Sequence, residues 1–346
     1  MIAGIIIAIS WTLLFGKYEA QGTISNLSNF DYLMWIGLKR NLPLLAEARM
    51  KDNEEDYFDK LSDEKWWKNN ATPTFAVSKD DNKDAFGLTL KEGEATRIKD
   101  IVIKAKGTSK ENALSNLLVA TSFLQSGSTY LALKELVKGY QIQLRNSQTY
   151  LEKNNLELDI ESVYLKKRIA KLESLRAKFH ESPGTMNNQV VDLKDGAAKF
   201  MPISVQLIAA NQDLNVNREN KSRLNDEKQR ISILAKFLDQ ANPVIEKNLD
   251  GLSAMDALNQ IETQLRKDIN PSDLNGISML NSINDSLNSI SVKFIEGISK
   301  PSNVTASRPH YLKNSAIGFA LGLMLSLIGL VFYSFWNKFR SAITAN

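Results

Sequence analysis

The sequence predicts an α+β domain held between two terminal transmembrane helices. Three observations lead to this fold class. A long uncharged stretch, residues 316–336, lies near the C-terminus, and a shorter apolar stretch, residues 2–15, opens the chain. Between them, residues 97–106 alternate with the period of a strand, whereas a leucine repeat from 144 to 179 has the period of a long helix. The middle of the chain is large enough to bury a core of its own.

The C-terminal stretch has the length and composition of a membrane span. Residues 316–336 carry no charge, and a helix that rises about 1.5 Å per residue would carry them across a hydrocarbon core of about 30 Å. Polar and basic residues bound the stretch, so the predicted span is 313–337. A buried core helix is the alternative. Small residues recur along it and predict close packing against another helix: Gly318, Gly322, Ser326 and Gly329.

The N-terminal stretch predicts a second, short span over residues 1–16. Its apolar residues rise only about 21 Å, so we expect a truncated or very short cytoplasmic lead before it. A signal peptide is the alternative, but the stretch lacks a basic start and a small-residue cleavage site. Two spans place both termini on one side of the membrane. Lys338 and Arg340 favour the cytoplasm for the tail, residues 338–346.

Composition limits the possible functions. A formal net charge of +4 over 346 residues is close to balance, so the chain lacks the basic character of a nucleic-acid-binding protein. Because it has no cysteine, disulfides and thiolate chemistry are excluded, which suits an exported bacterial domain. There is no P-loop and no nucleophile elbow, and the two histidines, His180 and His310, lie far apart in sequence. We therefore expect no enzymatic activity, no metal site and no cofactor.

Residues 17–108 predict the first part of a mixed α and β domain. The clearest strand is 97–106, because Ile101, Ile103 and Ala105 share one face and charged residues occupy the other. The other predicted segments are, in chain order, a strand at 18–27, a helical segment at 29–50 that is broken at Pro43, a helix at 54–68, and an extended segment at 72–78.

Two adjacent tryptophans, Trp66 and Trp67, end the second of these predicted helices. An aromatic face suits stacking on a sugar ring, but it equally suits a protein core or an interface between subunits. Packing is the favoured interpretation of the pair.

Residues 109–250 predict two long helices. Ser109 and Asn112 suit a helix start, and an apolar stripe follows from residue 113 to 144. A strict seven-residue repeat then keeps one face of the helix toward a partner. Its members are Leu144, Leu151, Leu158, Leu165, Leu172 and Phe179. The companion positions, three residues after each leucine, are mostly polar: Ser147, Asn154, Glu161 and Arg168. We expect a long helix that projects from a base and carries a narrow contact stripe.

The second long helix is predicted from about residue 203 to 240, after a break at residues 182–184. Its apolar positions form a seam that polar residues interrupt. The apolar members are Ile203, Leu207, Ala210, Leu214, Leu224, Ile231, Ala235 and Leu238, and the interruptions are Asn217, Lys221 and Lys228. Two long helices joined by a loop predict an antiparallel hairpin.

Residues 251–312 predict a return of the chain to the mixed α and β part. Helical patterns at 252–267 and 271–287 come first, and residues 291–298 then alternate and predict a last strand. Pro301 and Pro309 predict a stiff, extended, membrane-proximal lead into the second span.

In this order of elements the chain resembles the Wzz-type chain-length determinants, the polysaccharide co-polymerases of bacterial inner membranes. The resemblance extends over nearly the whole chain and rests on the order of the elements rather than on any one motif. The segments that carry it are Lys17-Tyr-Glu-Ala-Gln-Gly22 after the first span, Ile101-Val-Ile-Lys104 leading to Leu118, Phe200-Met-Pro-Ile-Ser-Val-Gln-Leu-Ile-Ala-Ala210 at the start of a long helix, Pro301 and Pro309, and the glycines Gly318 and Gly322.

The resemblance implies a periplasmic domain with a membrane-proximal α/β base and a long helical projection. It implies a non-enzymatic protein that sets the length of a polysaccharide made by a Wzy-type polymerase, the glycan being O-antigen, common antigen or capsule. The implied partners are copies of the chain in an inner-membrane ring, the polymerase, the membrane and lipid-linked glycan. Residues 338–346 contain neither a P-loop nor a tyrosine cluster, so the chain resembles the kinase-free class.

Three other classes of protein share parts of this pattern. A two-span sensor would need a cytoplasmic output domain, and a sugar-processing enzyme would need convergent acidic residues. A periplasmic adaptor or scaffold of an export system has a long helical hairpin but does not need the C-terminal span. The adaptor is the alternative to the co-polymerase.

Overall fold

A computed structural model describes residues 17–25, 27, 30, 32–50, 57–75, 98–179, 202–298 and 300–307, and part of 320–336. The described residues are mostly helical and include one small sheet of four strands. The predicted fold class, an α+β domain flanked by two transmembrane helices, is therefore wrong. Long helices between residues 110 and 247 dominate the fold, whereas the strands are few and short.

No helix in the described part of the chain combines the length and the apolar character that crossing a membrane requires. This finding overturns the predicted spans and, with them, the predicted inner-membrane location, periplasmic domain and cytoplasmic termini. Counting uncharged residues measures composition alone, whereas a span also needs a continuous apolar helix of about 20 residues. The predicted first span, residues 1–16, lies outside the described residues, as does much of the second, residues 313–337.

The described elements follow one another in a simple order. They are β1 (Tyr18–Ile24), α1 (Tyr32–Met50), α2 (Phe58–Leu61), α3 (Glu64–Asn70), β2 (Ala71–Phe75), β3 (Ile98–Gly107), α4 (Lys110–Phe179), α5 (Ile203–Lys247), α6 (Gly251–Asp268), α7 (Leu274–Ile290) and β4 (Ser302–Ser307). The predicted helix start near Ser109 is confirmed, since its hydroxyl accepts a hydrogen bond of 3.1 Å from the Asn112 N–H.

The sheet is antiparallel throughout, in the order β2-β3-β1-β4. The strand predicted at residues 97–106 is confirmed as β3. Its inward face is apolar, as the alternation indicates: Ile101 and Ala105 are buried and pair with Ile24 and Ala20 of β1. Burial of this one face fixes the register, because a shift by one residue would turn the apolar side chains outward.

The strand predicted at residues 291–298 is wrong, because Ser291–Glu296 forms a π-helical turn that continues α7. Phe294 packs edge-on against Phe30 with ring centroids 5.3 Å apart, and the Gln125 side-chain amide donates to the carbonyls of Ile295 (2.6 Å) and Ile298 (2.9 Å). Alternation over eight residues does not distinguish a strand from a helix end whose carbonyls are satisfied in this way. The last strand is instead β4, a mostly exposed edge strand beside β1.

The described chain falls into two compact units. The first takes the described residues up to Ala132, Leu249–Ser253, and those from Ser289 onward, and the second takes Leu133–Asn248 and Ala254–Asn288. Aromatic side chains form much of the core of the first unit. Its largest buried members are Phe30, Trp35, Phe58, Trp67 and Phe123.

A polar network around Arg49 joins three segments of the first unit. The Arg49 guanidinium donates to the Leu249 carbonyl and, at 2.6 Å, to the Ser126 hydroxyl, and it lies 3.3 Å from the Asp250 carboxylate. The Ser126 hydroxyl donates to Asp250 at 2.6 Å and accepts from the Gly251 N–H at 3.1 Å. The other Asp250 oxygen caps α6 by accepting from the Ser253 N–H. These bonds hold the end of α1, the first quarter of α4 and the start of α6 together.

The network leaves no room for a side chain at residue 251. A Cβ there would lie 2.0 Å from the Ser126 carbonyl oxygen and 2.4 Å from the Tyr130 nitrogen, and both are backbone atoms of α4. Close approach of the two backbones therefore requires glycine.

We expect Gly251→Ala to destabilise the protein by about 1–3 kcal/mol, because the added methyl group forces two backbone segments apart. Urea unfolding at neutral pH measures the change. Gly139→Ala is the matched control, since nothing lies within 4 Å of its Cβ position in the interior of α4. It should stabilise the protein by about 0.5–1 kcal/mol. Equal effects of the two substitutions would contradict the close approach at Gly251.

Asp250 makes the stability of this network depend on pH. Burial acts to raise the pKa of Asp250, but the hydrogen bonds from Ser126 and Ser253 and the charge of Arg49 outweigh it and lower the pKa. A lowered folded-state pKa stabilises the fold above the unfolded pKa of about 3.9, and this contribution is lost as the pH falls through the folded value.

We expect Asp250→Asn to lower the free energy of unfolding at pH 7 by about 1 kcal/mol, since one charge-assisted interaction is lost. The difference from the unmodified protein should shrink as the pH falls below about 4. Urea unfolding between pH 7 and pH 3 tests this. Asp239→Asn, at an exposed position of α5, should change stability by less than about 0.5 kcal/mol at either pH. A difference at Asp250 that stays constant with pH would contradict the assignment.

Candidate functional site

The second unit is built on an antiparallel pair formed by α4 and α5. Leu172 clusters with Leu207 and Ala210 at one end of the pair. Toward the other end the Gln141 amide donates to the side chain of Asn242 at 2.7 Å. Residue numbers thus rise along one helix as they fall along the other, and the predicted antiparallel hairpin is confirmed.

Described members of the predicted leucine stripe of α4 lie on the side of the helix that packs against α5. Leu165 and Leu172 are buried, while Leu144, Leu151 and Leu158 are half-buried. Phe179 ends α4, and its side chain lies outside the described residues. The stripe therefore stabilises the fold of a single chain.

The companion positions change partway along α4. Ser147 and Asn154 are half-buried, but farther along Ser162 and Ile169 face inward while Glu161 and Arg168 are exposed. The shift from the third to the fourth residue after each leucine follows from helix geometry, because 3.6 residues per turn drift relative to a seven-residue repeat.

Polar residues interrupt the facing seam of α5. Asn217 is buried, and its amide donates to the Glu161 carboxylate (2.8 Å) and the Leu158 carbonyl (3.1 Å), while Lys221 pairs with Asp159. A buried asparagine in a helical seam favours one register over its neighbours, at some cost in stability.

The face of α4 opposite the seam carries a second apolar stripe, which we name the outer stripe. It consists of Leu156, Ile160, Val163 and Tyr164, whose exposed fractions are 61%, 48%, 51% and 68%. Residues four and seven apart lie on one face of a helix, so these side chains form a continuous surface. Beside it, Ile160 and Tyr164 line a shallow groove of about 410 Å³.

Charges of both signs border the outer stripe. Glu157 and Glu161 lie along one side, whereas Lys153 and Lys167 lie near its two ends. Lys153 and Glu157 approach to 3.9 Å, but both side chains remain mostly exposed. The surface is therefore apolar in the middle and mixed in charge at the rim, which is the usual composition of a protein–protein interface.

The outer stripe was not predicted, although the sequence contains a signal for it. Residues 156, 160, 163 and 164 have the spacing of one helix face. The stricter seven-residue leucine repeat on the opposite face was instead interpreted as the contact surface of the helix. Only the packing of α5 shows which of the two apolar faces of α4 is already occupied.

The remaining predicted site residues are only partly described. Gly318, Gly322 and Pro309 lie outside the described residues, whereas Ser326 and Gly329 are exposed helical residues. The Ser326 hydroxyl donates to the Leu323 carbonyl, and nothing lies within 4 Å of the Gly329 Cβ position. Pro301 precedes β4, and its Cβ lies 2.6 Å from the Cβ position of Gly22 in β1. The extended segment that Pro301 and Pro309 predict contains the strand β4.

The two adjacent tryptophans take different environments. Trp67 is fully buried in the first unit, and its indole N–H donates to the Leu61 carbonyl at 2.7 Å. Trp66 is half-buried and lines a cavity. Core packing is thus confirmed for one member of the pair only.

Within the described residues, no three His, Asp or Glu side chains are placed to hold a metal ion. In comparisons with known proteins, no family model matches the sequence, and no curated protein sequence matches it.

We expect Lys228→Leu to stabilise the hairpin by about 1 kcal/mol, since it extends the apolar seam. Lys228 lines a groove of about 450 Å³ between α4 and α5, together with Leu151, Leu224 and Ile231. Thermal unfolding followed by circular dichroism measures the gain. Lys228 and Lys236 are both exposed, but Lys236 does not line this groove, so Lys236→Leu should give no gain. If both variants gain equally, helix propensity rather than seam packing explains the effect.

Proposed function

We propose that this protein is a non-enzymatic regulator of polysaccharide chain length that assembles with copies of itself and acts with a Wzy-type polymerase. The observation that carries the proposal is the outer stripe, an exposed apolar surface on a long helical hairpin. The order of sequence elements that resembles the kinase-free Wzz-type family supplies the functional class. The glycan class is O-antigen, common antigen or capsule.

A second copy of the chain is the occupant that we propose for the outer stripe. The leucine seam of α4 is already used inside the chain, so association has to use another surface. Burying a Leu, Ile or Val side chain stabilises by about 1.5–3 kcal/mol relative to leaving it exposed. The acidic side of the stripe, Glu157 and Glu161, can pair with the basic residues Lys153 and Lys167 of a neighbouring copy.

In this proposal the assembly acts through its geometry. Copies packed side by side through their hairpins would present a repeated surface to the polymerase or to the growing glycan. The number and spacing of the copies, not a catalytic group, would then bias the point at which elongation stops. No residue of the chain is required to make or break a glycosidic bond.

A scaffold of an export system is the second candidate, because a long antiparallel hairpin also suits that role. The two candidates differ in what the loss of the protein changes. Deletion of a chain-length regulator removes the preferred length of a surface polysaccharide. Deletion of an export scaffold instead impairs the transport of another molecule and leaves polysaccharide lengths unchanged.

We expect the double substitution Ile160→Glu and Tyr164→Glu to break self-association, because it places two like charges in the centre of the apolar contact. Sedimentation velocity of the purified protein should show a shift from oligomer to monomer. In cells that carry the variant in place of the native gene, the preferred polysaccharide length on a gel should be lost.

Ser174→Glu is the matched control, since it adds an acid to an exposed serine of α4 outside the outer stripe. It should leave both the oligomer and the preferred length unchanged. An oligomer that persists in the double variant would contradict the proposed interface. Polysaccharide lengths that do not change when the gene is deleted would contradict the proposed function.

A further inference from the structure

The first unit contains a cavity whose charged lining residues are all basic. The cavity has a volume of about 320 Å³ and is lined by Lys17, Lys60 and Lys106, by Trp66, and by amide and hydroxyl side chains. No carboxylate of the described residues belongs to this lining. Its volume is at the lower end of the range for small-molecule sites.

The pairing of β1 with β3 brings two of the lysines together. Tyr18 pairs with Gly107 in the antiparallel register, so the preceding Lys17 and the neighbouring Lys106 lie at the same end of the sheet. The short helix α2 supplies Lys60. The lysines are far apart in sequence, and only the sheet register and the packing of α2 and α3 make them neighbours.

The positive charge of the cavity is incompletely neutralised. Within the described residues, no carboxylate lies within 4.0 Å of the ammonium groups of Lys17 or Lys60. Lys106 is 4.0 Å from Glu19, but that carboxylate lies closer, at 3.7 Å, to Lys104. Several like charges around one cavity attract an anion.

Tyr57 borders the cavity without adding negative charge. The Lys60 ammonium lies 4.9 Å above its ring centroid. Burial raises the pKa of the Tyr57 hydroxyl to about 12, while the nearby Trp66 side chain acts to lower it. The Trp66 contact does not have the geometry of a hydrogen bond, so the buried hydroxyl has no partner among the described residues. The group therefore stays neutral at physiological pH.

Trp66 supplies a fixed aromatic surface at the cavity. Its ring packs edge-on against Trp67 (centroids 5.0 Å apart, 79°) and against Tyr57 (6.1 Å, 89°). Two such contacts hold the indole in one orientation while it remains half-buried. A ring held in this way can pack against the C–H face of a sugar without losing further side-chain entropy.

Amide side chains complete the lining and are held by local hydrogen bonds. The Asn70 amide donates to the Trp66 carbonyl at 2.9 Å, and the Asn112 side chain accepts from the Thr108 N–H at 3.2 Å. Gly107 lets the chain turn tightly here, because a Cβ would lie 2.3 Å from the Ala113 nitrogen. Amides and hydroxyls at fixed positions suit a ligand that carries several hydroxyl groups.

We infer that this cavity binds an anionic saccharide, with its carboxylate or phosphate among Lys17, Lys60 and Lys106 and a sugar face against Trp66. The ligand class rests on the proposed function, whereas the site rests on the cavity alone. The inference gives the protein a direct contact with glycan in addition to its contacts with other copies and with the polymerase.

Isothermal titration calorimetry of the full chain tests this with four probes: a galacturonic acid trisaccharide, a neutral galactose trisaccharide, glucose 1-phosphate and inorganic phosphate. The acidic trisaccharide or the sugar phosphate should bind at least tenfold more tightly than the neutral sugar and than phosphate alone. Whichever anionic sugar binds more tightly identifies the anionic group. Raising the salt concentration should weaken this binding.

Two variants locate the site. Trp66→Ala should weaken the binding of the tighter anionic sugar at least tenfold, and Lys60→Gln at least fivefold, with unchanged circular dichroism spectra. Lys68→Gln is the matched control, since Lys68 is an exposed lysine of α3 outside the cavity. It should bind within twofold of the unmodified protein.

Equal affinity for neutral and anionic sugars would overturn the inference, as would unchanged binding by the Trp66 and Lys60 variants. Phosphate binding as tight as that of either anionic sugar would also overturn it, since the site would then recognise an anion only. The proposed function is tested by a different experiment, and it fails if polysaccharide lengths do not change when the gene is deleted. The two failures are therefore distinguishable.

Discussion

The pairing of α4 with α5 is the constraint on which the second unit depends. A helix of 70 residues with charges along most of its length gains its stability from packing an apolar stripe rather than from helix propensity. Leu165 and Leu172 provide such packing against α5, and the seven-residue spacing keeps it continuous. Asn217 and Lys221 weaken the apolar seam, but their bonds to α4 are satisfied in one register only. The seam thus gives up some stability for a defined alignment of the two helices.

This use of the seam decides which surface is left for other molecules. An amphipathic helix with one apolar face has no apolar surface left for association once that face is buried. Helix α4, in contrast, has a second apolar face around Ile160 and Tyr164. Leaving such side chains in water has an energetic cost, and the mixed charges at Glu157 and Lys167 keep the surface soluble without covering it. An association surface on this face is therefore compatible with a hairpin whose leucine seam packs within one chain.

Sequence reasoning succeeded where one physical effect dominated. Alternation along β3 and the leucine repeat of α4 each reflect the burial of one face, so both elements were predictable. It failed where the outcome depended on tertiary contacts. Residues 291–298 alternate like a strand, yet Gln125 and Phe30 stabilise them as the end of a helix. The predicted two-span arrangement is contradicted as well, because no helix in the described part of the chain can cross a membrane.

The cavity of the first unit could not be predicted from the sequence, because no local sequence motif indicates it. Lys17, Lys60 and Lys106 are ordinary surface lysines in sequence, and the register of β1 against β3 creates their proximity. Three cationic side chains around one cavity favour an anionic ligand there. Trp66 fits the same argument, because Trp67 already supplies the buried indole of this region. An anion that carries an apolar face would neutralise the lysines and cover the half-buried indole at once. A saccharide that is both charged and ring-shaped therefore fits the cavity better than a ligand with only one of these properties.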